Sequence, residues 1–256
     1  MDTNNLFKLN GKIAVVTGGY GKLGRHIVKA LAELGCQVVV ASITSPGVNF
    51  GKYEKMVGFF KCNVAEKEEV LKLRDMILEK YGKVDILVNC VTGNAIAPLE
   101  EMSLKDWQKA LKNGLDSLFL CTQIIGTEMK KQKSGNIINI GSIYGLVTAD
   151  QRIYGDSGLN SSIAYATIKS AILNFSRYVA VYWAEYGIRC NTLTFGGLED
   201  PSNADEYFRK NYIDRTPLRR MMQGDDIKGA IAFLTTDASK YYTGQNLIVD
   251  GGWTAW

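Results

Sequence analysis

Ile13-Ala14-Val15-Val16-Thr17 runs straight into Gly18-Gly19-Tyr20-Gly21-Lys22-Leu23-Gly24, and an amphipathic segment, Arg25 to Leu34, follows at once. The first run is short, apolar and β-branched, which reads as a buried strand. Strand, glycine-rich turn and helix in immediate succession open a parallel α/β unit. Glycines let backbone amides approach a pyrophosphate, and the helix N-terminus favours the anion. A tight turn with no ligand would use the same residues, but the flanking strand and helix favour phosphate.

The rest of the chain repeats the alternation. Further strands are predicted at Gln37 to Ile43, Val57 to Cys62, Val84 to Asn89, Gly135 to Ser142, Ile188 to Thr194 and Asn246 to Asp250. Helices are predicted at Glu66 to Tyr81, Trp107 to about Lys131, from a Ser161-Ser162 cap to about Glu185, and Asp225 to Leu234. Gly196 to Arg220 is polar and reads as irregular, a candidate lid over a substrate. The pattern predicts a single-domain α/β fold over residues 1–256, a doubly wound, Rossmann-type parallel sheet with helices on both faces. No repeat or interdomain linker interrupts it.

Composition narrows the function classes. A net charge of +4, with the charges interspersed, is too mild to argue for nucleic acid. No apolar run reaches 18 residues, and Met1 to Asn10 is polar, so neither a membrane span nor a signal peptide is expected. Cys36, Cys62, Cys90, Cys121 and Cys190 sit in apolar segments without a Cys-x-x-Cys pair, which suits buried thiols in a reducing cytoplasm. A single histidine, His26, argues against zinc.

Tyr165 and Lys169 stand four residues apart on the predicted helix and share a face. A free phenol titrates near pH ~10, and a neighbouring ammonium lowers that value, so the pair suits general acid–base work. With 13 tyrosines and 21 lysines in 256 residues, about one such spacing arises by chance, and this is its only occurrence. The spacing therefore gains its weight from its surroundings.

Those surroundings resemble the short-chain dehydrogenase/reductase family over nearly the whole chain. The matching motifs are Thr17-Gly18…Gly24, Leu87-Val88-Asn89, Gly141-Ser142, Tyr165-x-x-x-Lys169, Gly187-Ile188-Arg189-Cys190-Asn191 and Thr243-Gly244-Gln245-x-x-x-Val249-Asp250-Gly251-Gly252. The resemblance implies a proton-transferring Tyr165, a Lys169 that lowers its pKa and bonds the nicotinamide ribose, and a Ser142 that hydrogen-bonds the substrate oxygen. It implies a nicotinamide dinucleotide held by Gly18, Tyr20, Lys22, Leu23, Gly24, Ser42, Asn63, Val64 and Asn89, together with Tyr165 and Lys169. Five departures stand out. Lys22 replaces the middle glycine of the turn. Cys90-Val91-Thr92 follows Asn89 in place of Asn-Ala-Gly. The family's helix asparagine falls on Gly114, with Asn113 one residue earlier. Phe195-Gly196 replaces Pro-Gly. Ser142 and Tyr165 lie 23 residues apart, about ten more than usual, which leaves an insert at 147–160.

The expected protein is a cytoplasmic NAD(P)-dependent oxidoreductase, a homodimer or homotetramer, acting on an alcohol or carbonyl. A non-catalytic dinucleotide-binding sensor is the rival class. No acidic residue stands at Ser42, which favours NADP, with NAD as the alternative and Lys22 as a candidate for its 2′-phosphate. The insert and lid carry Arg152, Asp156, Asn160, Asn203, Arg209, Asn211 and Arg215. Such groups suit a sugar phosphate or nucleotide sugar, and the insert resembles those of bacterial surface-carbohydrate enzymes. A 3-oxoacyl or simple ketone reductase is the alternative.

Overall fold

The computed structural model describes residues 3–44, 47–157, 160–200 and 205–256; Asn203 of the lid lies outside the described residues. Seven strands form one parallel sheet, ordered β3-β2-β1-β4-β5-β6-β7. They are β1 (Ile13–Thr17), β2 (Gln37–Ser42), β3 (Val57–Lys61), β4 (Ile86–Asn89), β5 (Gly135–Ile140), β6 (Ile188–Phe195) and β7 (Asn246–Val249). The α-helices are α1 (Gly24–Glu33), α2 (Lys67–Tyr81), α3 (Leu104–Leu111), α4 (Ser117–Gln132), α5 (Ile163–Tyr182), α6 (Glu206–Arg215) and α7 (Asp226–Thr235). This is the doubly wound, Rossmann-type fold that the alternation predicts. Among the described residues no helix is long and apolar enough to cross a membrane.

The inner strands are mostly apolar because both faces of the sheet are covered. Successive residues point to opposite faces. Val16, Val40, Val88 and Ile138 pack with Ile27 and Leu31 of α1 and Ile231 and Leu234 of α7. Their neighbours Val15, Val39, Leu87 and Ile137 pack with Leu73 and Ile77 of α2 and Ile125 and Met129 of α4. Each such side chain contributes roughly 1.5–3 kcal/mol on full burial.

The strand order reverses between β1 and β4, and the crevice beyond their carboxyl ends is where ligands bind in such sheets. Thr17 fastens the two ends together. Its hydroxyl oxygen accepts from the amides of Cys90 at 3.0 Å and Val91 at 3.3 Å.

Two segments differ from the sequence expectation. The helix predicted from Trp107 to Lys131 is three pieces, α3, a π-helical turn at Lys112–Asp116, and α4. The cause is tertiary. Gly114 lies against α5 so closely that a Cβ there would stand 2.7 Å from Ile168 Cδ1 and 2.8 Å from its Cγ2. The wider turn carries the chain past this contact, and Ser117 Oγ donates to the Asn113 carbonyl at 2.5 Å. The lid is also not wholly irregular, since it contains α6, capped by Asp205, whose carboxylate accepts from Phe208 N at 2.9 Å.

Restoring the family's asparagine as Gly114→Asn should therefore overpack the α4–α5 junction, at a cost of about 1–3 kcal/mol. Thermal unfolding should show a midpoint lowered by roughly 2–4 °C per kcal/mol. An unchanged midpoint would contradict the close approach.

Candidate active site

Ser162 caps α5, its hydroxyl oxygen accepting from Tyr165 N at 3.1 Å. One turn further, Lys169 is 3% exposed, and its ammonium donates to the carbonyl of Ile140, the last residue of β5, at 2.8 Å. That bond brings the Tyr165 turn of α5 against the end of β5. Ser142, two residues beyond Ile140, lines the same cavity as the Tyr165 phenol and lowers its pKa. The Ser142 oxygen also accepts from Tyr144 N at 3.2 Å, which fixes its orientation.

The electrostatics depart from the simple expectation of an ammonium acidifying a phenol. Burial raises the Tyr165 pKa, and among the groups acting on it Ser142, not Lys169, lowers it. The Lys169 ammonium lies 5.6 Å from the ring centroid and is engaged by a carbonyl. Desolvation lowers Lys169 itself to about 8. Cys90, in the place of a family asparagine, adds a half-buried thiol close enough to these two groups to raise both pKa values, and is itself pushed up to about 11 by desolvation.

The glycine-rich turn fits a dinucleotide. Gly18 has φ +64°, and a Cβ on Gly24 would stand 2.3 Å from the Gly18 carbonyl oxygen. No side chain caps the N-terminus of α1, which leaves it to an anion. Lys22 is tolerated where a glycine is usual because its backbone is not left-handed; among the described residues only Lys133 and Arg219 have positive φ without being glycine. Leu23 lines the cavity beside the turn, and Tyr20 packs its ring against Phe50 and Phe59 at 6.1 and 5.7 Å.

Other residues expected at the cofactor are used in more local ways. Lys22 pairs with Asp200 of the lid, which holds its ammonium on the substrate side and away from a ribose phosphate at β2. Ser42 ends β2 with its hydroxyl 3.3 Å from that of Thr44. Asn63 caps its own turn, accepting from Ala65 N at 3.2 Å, while Val64 is buried among the helices of one face. Asn89 donates to Asn139 Oδ1 at 2.8 Å and to Thr122 Oγ1 at 3.2 Å, so its carboxamide braces the sheet beneath the site.

Ser142 and Tyr165 open into a cavity of about 360 Å³. Its walls include Asn94, Tyr144, Tyr154, Asn160, Phe208, Tyr212 and Asp200. Sequence reasoning missed Asn94, Phe208, Tyr212 and Asp200; Phe208 and Tyr212, four apart behind the Asp205 cap, were the readable signal. The insert is part of the wall. Its Ile153 is fully buried with Ile143, Tyr212, Met221 and Trp253. The arginines expected to meet a phosphate face carboxylates instead. Arg152 and Arg215 both bond Asp150, at 2.8 Å each, and Arg209 bonds Glu199 at 2.7 Å. None of the three lines this cavity.

Residues 21–254 match the family model described as enoyl-(acyl carrier protein) reductase. The chain is 30% identical to the D-threitol dehydrogenase of Mycolicibacterium smegmatis, covering 97% of this chain and 95% of that protein. It is 32% identical to a 3-oxoacyl-[acyl-carrier-protein] reductase of Synechocystis, covering 95% and 97%. A short-chain dehydrogenase from Leptospira borgpetersenii, solved with bound NAD+, superimposes with a TM-score of 0.91 at 32% identity, covering 99% and 97%. With a seven-stranded parallel sheet, a glycine cradle at its switch point and Ser142, Tyr165 and Lys169 gathered at the end of β5, the chain belongs to the short-chain dehydrogenase/reductase family of NAD(P)-dependent oxidoreductases.

Proposed function

We propose that this protein interconverts a secondary alcohol and a carbonyl on a small polyhydroxylated, carbohydrate-type substrate. The observation that carries the reading is the Ser142–Tyr165 pair opening into a cavity walled by phenols and carboxamides. When bound, the nicotinamide supplies the hydride acceptor or donor. Tyr165 takes the alcohol proton in oxidation and returns it in reduction. Ser142, already oriented by Tyr144 N, holds the substrate oxygen beside the phenol. Lys169, anchored to Ile140, is placed for the ribose. Insert 147–160 and lid 196–220 act as the substrate-binding part of a single domain.

A phosphorylated or nucleotide-linked sugar, of the kind used in bacterial glycan synthesis, is the finer form of this reading. Its weakness is the internal pairing of Arg152, Arg209 and Arg215. A second reading, a 3-oxoacyl reductase, is favoured by the aromatic face of the cavity, where Phe208 and Tyr212 stand 5.8 Å apart. NADP is the proposed cofactor over NAD, because the end of β2 offers the Ser42 and Thr44 hydroxyls and no carboxylate. A reducing, cytoplasmic setting is supported by five free thiols. A dimer or tetramer through α4 and α5 is supported by the exposed Phe119, Tyr178, Val181 and Tyr182. Leu118 of α4 is buried in the core, and Trp183 is half-buried against Gly126.

Four measurements check these statements. Tyr165→Phe should reduce turnover at least about a hundredfold, the scale of acid–base catalysis, while cofactor binding survives. A non-catalytic sensor would instead bind cofactor and turn over nothing on a broad panel. Alcohol oxidation needs the deprotonated phenol, so its kcat/KM should rise with pH. In Ser142→Ala, which loses the hydroxyl that lowers the phenol pKa, that rise should move to higher pH. A limb that stays in place would contradict the role of Ser142. Across free polyols, sugar phosphates, nucleotide sugars and 3-oxoacyl thioesters, each tried with both cofactors, free polyols with NADP should give the highest kcat/KM. Thioester turnover alone would select the second reading. Light scattering should give a multiple of 28.3 kDa.

A further inference from the structure

The family's proton-transfer machinery does not explain two tyrosines that face the same cavity. Tyr144 follows Ser142 by two residues, and Tyr154 comes from the insert. Tyr154 OH donates to Tyr144 OH at 3.4 Å. That bond uses the Tyr154 proton and leaves the Tyr144 proton, and Ser161 also acts on the Tyr154 oxygen. A donor beside an acceptor is the complement of a hydroxyl group, which is itself both.

The insert is built to hold Tyr154 in place. The Tyr154 ring stacks on Phe208 of α6 with centroids 5.2 Å apart and 17° between planes. The adjacent Ile153 is fully buried. Asp150 accepts from Arg152 N at 3.0 Å, which starts the short helical turn Gln151–Tyr154, and bonds Arg215 of α6 at 2.8 Å. A stack, a core anchor and an ion pair thus fix one phenol against the lid. Burial raises the pKa of both phenols, so each stays neutral at physiological pH. Neutral groups of this kind favour an uncharged hydroxyl over a phosphate or carboxylate.

We infer that the Tyr144–Tyr154 pair is a specificity-determining site that binds a substrate hydroxyl next to the carbon being oxidised or reduced. The inference rests on the oxidoreductase reading above and deepens it, for the pair would select polyols over monofunctional alcohols.

A matched pair of probes tests it, 2-butanol against 2,3-butanediol, with wild type and Tyr154→Phe. The phenylalanine keeps the stack on Phe208 and removes only the hydroxyl, so an unchanged unfolding midpoint serves as the folding control. Wild type should prefer the diol in kcat/KM. Tyr154→Phe should lose about three- to tenfold on the diol, mainly through KM, as expected for one hydrogen bond, and stay within twofold on 2-butanol. Tyr144→Phe should do the same, and the double variant should lose little more, because the pair acts as one unit. Equal losses on both alcohols, or none on either, would overturn the inference and leave the oxidoreductase reading standing. Failure of the wild type to turn over either alcohol, or any polyol, would overturn that reading and the inference with it.

Discussion

The bond from Lys169 to the Ile140 carbonyl organises the catalytic end of the molecule. A buried ammonium must be satisfied, and a hydrogen bond involving a charged group contributes about 1.5–3 kcal/mol. This one joins α5 to the last residue of β5. Ser142 lies two residues beyond the acceptor, and Tyr165 lies one turn before the donor. Neither could meet the other if α5 slid along the sheet by a turn. Desolvation, which pulls Lys169 down to about 8, is the cost of that anchoring.

A polar seam under the site reinforces the anchor. Asn89 of β4 donates to Asn139 of β5, which donates to Ser176 of α5 at 2.9 Å. Thr192 of β6 donates to the same serine at 2.8 Å. Three strands and the catalytic helix are therefore cross-linked inside an otherwise apolar core. Buried networks of this kind hold one arrangement, although the Asn89 Oδ1 at the head of this one is buried without a partner. The seam also explains why Asn89, read from the sequence as a cofactor residue, has its carboxamide nitrogen committed to the fold.

What was legible in the chain was local. All seven strands were predicted, β1 as a short β-branched run, and the glycine turn announced itself through its flanking strand and helix. What was not legible depended on residues far apart in sequence. The break between α3 and α4 follows from Gly114 meeting Ile168, a contact across 54 residues. Arg215 reads as a free phosphate fork until Asp150 is seen beside it, 65 residues away. The pKa of Tyr165 could not be had from a Lys at i+4, because spacing does not reveal whether the ammonium faces the phenol or a carbonyl. In α6 the signal was present but weak, since only Tyr212 is buried on a helix half of whose residues are charged.

The insert and lid close the argument from packing to chemistry. Three of their arginines are paired internally, Arg152 and Arg215 with Asp150, and Arg209 with Glu199. What remains facing the cavity is aromatic or neutral and polar, apart from the Lys22–Asp200 pair at its edge. Exposed ion pairs add little stability, so these contribute mainly by fixing where the two segments lie relative to each other. The aromatic series Tyr154, Phe208, Tyr212 and Trp253, with neighbouring centroids 5.2, 5.8 and 4.3 Å apart, carries that positioning into the core. The neutral wall of the Tyr165 cavity is thus a product of how the two segments bind each other, and a change at Asp150 would reach the cavity through Tyr154 without lining it.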